Sequence, residues 1–258
     1  MGSNPTPSAP LLGRRVAPAT ELAGMNRERW RQRAQRASDA FGLVLLLVLI
    51  TYVLASVISN RGWSAVLLTT VTGATSVVAL TSSHARPVFV RRTLSLAVLA
   101  VLLAAVSAAT GGRHWLSAAN FISICLLAVA MAAVLRRVVT SDRVSSRTIL
   151  GAISVYTSLG ILFTWAYGLI DRIEGGGFFG PGVAAKGSDF LFFSYTTLTT
   201  TGYGDLVPTG QVGRMVSGLE MMVGQIFLVT LVAGLVTLWK PGEGLLRRRA
   251  KRSGESLS

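Results

Sequence analysis

Residues 200–205 of the 258-residue chain read T-T-G-Y-G-D and continue the run F-L-F-F-S-Y-T-T-L-T that starts at Phe190. Gly202 and Gly204 stand at alternate positions, where they permit backbone dihedrals that other residues rarely adopt. A segment of this kind can turn successive carbonyls toward one axis, and such carbonyls replace the water that a cation sheds. The aromatic run before it suits a short helix, with Ser188 or Asp189 as its N-cap. From Phe190 to about Leu198 the apolar stretch is too short to cross a bilayer. Irregular backbone at membrane depth is tolerated only where protein or a water path surrounds it. The chemistry on offer is passive coordination of cations. No constellation of catalytic residues accompanies the motif, so the expectation is a chain that is not an enzyme.

The elements that must position this loop are apolar helices. The chain is 51% hydrophobic and only 14% charged, and it has no acidic residue between Asp39 and Asp142. Five uncharged segments, 41–60, 62–83, 93–112, 115–135 and 148–170, precede the loop, and a last apolar one, interrupted only by Arg214 and Glu220, runs from about Val212 to Trp239. Each is near the length that spans a bilayer core. The expected fold is therefore an all-α membrane protein with six transmembrane helices plus one re-entrant segment. Twenty Lys and Arg residues fall on one side of these crossings, in 1–38, 84–92, 136–147 and the tail from Lys240. Five fall on the other: Arg61, Arg113, Arg172, Lys186 and Arg214. That asymmetry puts both termini in the cytoplasm and the 171–211 region outside. The net charge of +14 belongs to these flanks, and no aromatic-interleaved basic domain points to nucleic acid. Cys125 is the only cysteine, which excludes a disulfide framework within one chain. Arg outnumbers Lys 22 to 3, a compositional hint of a GC-rich bacterial genome and hence of a bacterial plasma membrane.

The motif resembles the potassium channel signature T-V-G-Y-G-D, with Thr201 in place of Val. The resemblance implies a homotetramer, since one loop supplies a quarter of a filter ring. It also implies that K+ is the permeant ligand, that no other cofactor is needed, and that the carbonyls of Thr200, Thr201, Gly202 and Tyr203, with the Thr200 hydroxyl, form the stacked sites. Gly204 completes the turn, Tyr203 would brace the ring against the pore helices, and Asp205 would sit at the outer mouth. Pro208 follows at three residues, and Gly224 lies where these channels place a hinge glycine, although a glycine in an apolar helix is equally a close-packing site. Leu228, Val232 and Val236 repeat every four positions and either line the lower pore or pack on the fifth helix. Glu220 is the one acid inside a membrane helix, and such residues are functional hypotheses by default. It is read as buried behind the filter and bonded to Tyr195 or Thr196, or else as a negative charge facing the cavity.

Six crossings with the loop between the last two are similar to the voltage-gated arrangement, yet the fourth segment carries no charge. Arg136, Arg137, Arg143 and Arg147 all follow it, at spacings that suit a cytoplasmic linker. Steep voltage gating asks for three or four gating charges per subunit. The expected organisation is a partly disordered cytoplasmic segment 1–38, a sensor-like but uncharged four-helix bundle 39–135, a linker 136–147, a pore module 148–239 and a basic tail 240–258. The expectation for that tail is that it holds no nucleotide-binding or calcium-binding gating domain. The basic stretch around Trp30 and the tail suit contact with anionic membrane lipids, or simply fix the topology. The readings weighed against a K+ channel are a weakly selective cation pore, a voltage-gated K+ channel with an atypical sensor, a transporter subunit and a non-conducting regulatory subunit.

Overall fold

The computed structural model describes residues 41–58, 62–83, 85–140 and 146–238. Expectations for residues 1–38, for the stretch around Trp30 and for the tail from Lys240 lie outside them. The described residues form α1 (Phe41–Val57), α2 (Gly62–Ser82), α3 (Pro87–Thr110), α4 (Arg113–Val139), α5 (Ser146–Ile173), α6 (Gly187–Leu198) and α7 (Gln211–Leu238), with no strand among them. Five of these, all but α1 and α6, are long and apolar enough to cross a membrane. The sixth expected crossing is represented by α1, which within the described residues is shorter than the rest.

The helices pack as membrane helices do. Buried residues of α3 are Thr93, Ala97, Ala100, Ala104 and Ser107, a stripe at alternating four- and three-residue spacing. Its large residues Leu94, Val98, Leu99 and Leu102 are exposed. Lipid tails are as apolar as leucine, so helices associate through small residues that let backbones approach and leave the bulky ones outside. Gly73 of α2 meets the same stripe: a Cβ there would lie 3.0 Å from the Cβ of Ala97. One core cluster joins α1 (Phe41, Val44, Val48), α2 (Ala79, Leu80), α4 (Leu127, Ala130, Val134) and α5 (Val155, Ile161). A second, aromatic one joins α5, the 174–186 loop, α6 and α7 around Tyr167, Phe178, Phe190 and Phe193.

Helix bounds differ most from the sequence expectation where Arg residues flank an apolar run. α3 starts at Pro87, not 93, and takes in Arg91 and Arg92. α4 runs past 135 to Val139 and takes in Arg136 and Arg137, so the expected 136–147 linker is helical at both ends. A charge ends an apolar run, but Arg is a good helix former and does not end the helix. α3 is instead bounded by Pro87 at its start and by Gly111, left-handed at φ 69°, at its end.

Candidate filter loop and its supports

α6 has 12 residues, roughly 18 Å at 1.5 Å per residue, well short of a bilayer core. Its N-terminus differs from the expected cap. Lys186 holds the N-cap position, and Asp189, three residues on, accepts the Lys186 amide at 2.8 Å. The loop that delivers the chain to α6 is tied at Phe178, whose amide donates to Asp171 Oδ1 at 3.1 Å and whose carbonyl accepts the Thr209 amide at 3.0 Å.

The C-terminus of α6 sets the loop that follows it. A helix leaves its last four carbonyls without intrahelical partners, and here each finds one. Tyr195 O accepts the Thr199 amide (3.0 Å), Thr196 O those of Thr201 (2.8 Å) and Gly202 (3.1 Å), and Thr197 O that of Thr200 (3.0 Å). Leu198 O accepts the Tyr156 hydroxyl of α5 at 3.3 Å. The amides of 199–202 therefore turn back on the helix, while among the described residues no donor reaches the carbonyls of 200–204. Along this stretch φ alternates: it is positive at Thr200 (59°), Gly202 (52°) and Gly204 (80°) and not at Thr201 or Tyr203. Positive φ is uncommon for any residue with a side chain and rarer still for a β-branched one, so Thr200 is a strained position of the kind that clusters at functional sites.

The side chains around the loop are tied in different directions. Thr201 Oγ1 lies 2.9 Å from Thr199 Oγ1, which also donates to Tyr195 O at 2.7 Å. Tyr203 stacks on Phe192 of α6, with centroids 5.8 Å apart and 12° between planes. Asp205 is exposed at the end of the loop. Thr196 bonds its own helix, at Phe193 O. Tyr195 reaches α5, donating to Thr157 O at 2.7 Å, and its ring lies over Gly160, where a Cβ would come within 2.6 Å of it. The same ring meets Tyr52 of α1 edge-on at 5.0 Å, which joins the N-terminal helices directly to α6.

Glu220 of α7 is fully buried between α6 and α5. Its partners are neither Tyr195 nor Thr196. Tyr167 donates to Oε2 at 2.5 Å, and Ser194 Oγ lies 2.6 Å from Oε1. The alternative of a charge facing an open cavity does not fit a side chain enclosed in its own chain. Gly224, one turn further, is pressed against the end of α6: a Cβ would lie 2.7 Å from Leu198 O and 2.8 Å from Leu198 Cδ1. Leu228 and Val232 are exposed, and Val236 lies beyond the α7 residues whose side chains are described. Ser194, Tyr167, Thr199 and Phe192 were not singled out from the sequence. A lone Ser within F-F-S-Y was the one available signal, because a hydroxyl in an apolar run needs a partner.

Residues 155–239 match the family model described as Ion channel. The chain is 32% identical over 103 residues to "Probable potassium channel protein 2" of Methanocaldococcus jannaschii, which covers 39% of this chain and 27% of that protein. It is 38% identical over 50 residues to the voltage-gated delayed rectifier potassium channel KCNH5 of Homo sapiens, covering 19% of this chain and 5% of the other, and the Mus musculus counterpart matches equally. The chain thus spans about a quarter of the first relative and a twentieth of the second. It is a multi-pass membrane protein. Residues 155–239 are similar to the ion channel family, and the relatives that the chain matches carry potassium channel names.

Proposed function

We propose that the chain is one subunit of a homotetrameric, K+-selective channel of the cell membrane, with both termini cytoplasmic. The observation that carries this is the backbone of 200–204. φ alternates in sign there, the amides are taken up by α6, and the carbonyls accept nothing from the described residues. Alternating left- and right-handed residues gather N–H groups on one side of a chain and so send C=O groups to the other. Four such chains around an axis make rings of carbonyls that replace the water of a dehydrating cation. In this reading Thr200, Thr201, Gly202 and Tyr203 ligate K+, Gly204 supplies the last turn and Asp205 draws cations to the mouth. Tyr195 and Thr196 hold the pore helix, and Leu228, Val232 and Val236 line the lower pore. Subunit assembly is supported by α7, where Met215, Leu219, Met222, Ile226 and Val229 are exposed at alternating four- and three-residue spacing, a seam of the coiled-coil type. The count of twenty basic residues against five supports the orientation.

The test is a bi-ionic reversal potential for the purified chain in planar bilayers. K+ against Na+ should reverse far toward the K+ equilibrium potential, and Gly202→Ala, which puts a Cβ on a φ of 52°, should abolish the current. Equal permeabilities would favour the second reading, a weakly selective cation pore, which the hydroxyl of Thr201 motivates.

A further inference from the structure

We infer that Glu220 is held protonated, as a neutral positioning residue that donates to Ser194 and through it ties α6 to α5. The inference comes from counting protons. Three oxygens stand in a row: Gly160 O of α5, Ser194 Oγ of α6 and Glu220 Oε1 of α7. Ser194 Oγ lies 2.8 Å from the first and 2.6 Å from the third. Oxygen–oxygen contacts of this length are hydrogen bonds, and each needs a proton between its partners. A carbonyl has none to offer and a hydroxyl has one. Gly160 O already accepts Thr164 Oγ1 at 2.7 Å, so it is an acceptor on every side. The Tyr167 proton is directed to Oε2. The second proton must therefore sit on Glu220. Protonated, the set closes as a relay, with Tyr167 donating to Glu220, Glu220 to Ser194 and Ser194 to Gly160. With an ionised Glu220, Ser194 could serve only one neighbour and would face the other oxygen at contact distance with no proton between.

Burial leads to the same state. Glu220 is 0% exposed, and no described Lys or Arg pairs with it. Removing a lone carboxylate from water is costly, and a group so placed takes its neutral form. The other phenols within electrostatic reach, Tyr156 and Tyr195, donate elsewhere, to Leu198 O and Thr157 O. Because the relay holds the middle of α6, the helix whose end carries the filter loop, its role in conduction rests on the proposed function. The protonation state does not.

The experiment is infrared spectroscopy of the full chain reconstituted in lipid at neutral pH, beside Glu220→Gln and Glu220→Ala. The carbonyl stretch of a protonated carboxylic acid should be present, shift in heavy water and be absent from Glu220→Gln. Gln can donate to Ser194 and accept from Tyr167, so that variant should match the parent in thermal survival of the assembly and in K+ permeation. Glu220→Ala leaves the buried Tyr167 hydroxyl without its acceptor and cuts the tie from α7 to Ser194, and it should lower the surviving fraction by about tenfold or more. An ionised-carboxylate band lost in the Gln variant would overturn the inference. So would a Gln variant that fails as Ala does. If Glu220→Ala does not assemble at all, the spectrum and the Gln comparison still decide. A chain that shows the band but passes no K+ would sink the channel reading and leave the protonation standing.

Discussion

Thr201 stands where the signature that the loop resembles has Val, and proton bookkeeping says what its hydroxyl does. Thr199 donates its one proton to Tyr195 O, so the 2.9 Å contact between the two threonines is Thr201 donating to Thr199. The hydroxyl is directed to a neighbour in the same chain and adds no charge to the carbonyl row. Thr201→Val keeps the side chain's shape and removes one hydrogen bond of about 0.5–1.5 kcal/mol. Ion selectivity should survive this change, while the balance of conducting and non-conducting filter states shifts by about tenfold or less. Single-channel dwell times and reversal potentials measure the two effects separately, and a lost K+/Na+ preference would show that the hydroxyl itself ligates ions. At this scale the sequence was informative about residue types and silent about pairings. The glycines at 202 and 204 announce their positive φ, because glycine is the residue that tolerates it. The left-handed Thr200 does not, since nothing in a threonine foretells that the end of α6 will force it there. Glu220 stood out as a lone membrane acid, yet Ser194 and Tyr167 lie 26 and 53 residues away, a separation no local pattern spans.

α6 and α7 meet where Gly224 lies under Leu198, and this contact decides between two roles for the glycine. The Cβ of Gly224→Ala would lie 2.7 Å from a backbone carbonyl that also receives the Tyr156 hydroxyl. The Leu198 side chain can turn away, but the carbonyl can move only with the end of α6. Overpacking of this kind costs about 1–3 kcal/mol, so Gly224→Ala should lower the melting temperature of the assembled protein whatever its gating state. A variant of unchanged stability and altered open probability would identify a hinge instead. Element boundaries show the same limit of local reading. Apolar runs locate where lipid begins and ends, whereas α3 and α4 continue through Arg91, Arg92, Arg136 and Arg137 because nothing in those residues breaks a helix. The N-cap of α6 lies two to three residues before the expected one for a related reason. Asp189 does bond at the helix start, but from the third helical position back to Lys186, and a cap and a capping partner look alike in sequence.

Across the whole molecule, the N-terminal helices form a bundle that rests on the channel segment without carrying charge into it. α1 touches α6 through Tyr52, and α1, α2 and α4 share a core with α5, so any movement of the bundle would be felt at α6. The membrane field has little to pull on. Buried residues of α4 are Ala119, Asn120, Ser123, Leu126, Leu127, Ala130 and Val134. Its Arg136 and Arg137 lie in the last turn, with the Arg137 guanidinium 5.9 Å from the Phe41 ring centroid. One elementary charge crossing the full field gains about 2.3 kcal/mol per 100 mV, and steep gating uses three or four per subunit. Charges already at one end of the span must cross it to gain that energy, and Arg137 would leave an aromatic partner to do so. Open probability in reconstituted bilayers, followed in steps from strongly negative to strongly positive potential, should therefore change shallowly. Arg136→Gln with Arg137→Gln should leave that curve in place. A steep curve that flattens in the double variant would mean that these two arginines move through the field and that the bundle is a voltage sensor after all.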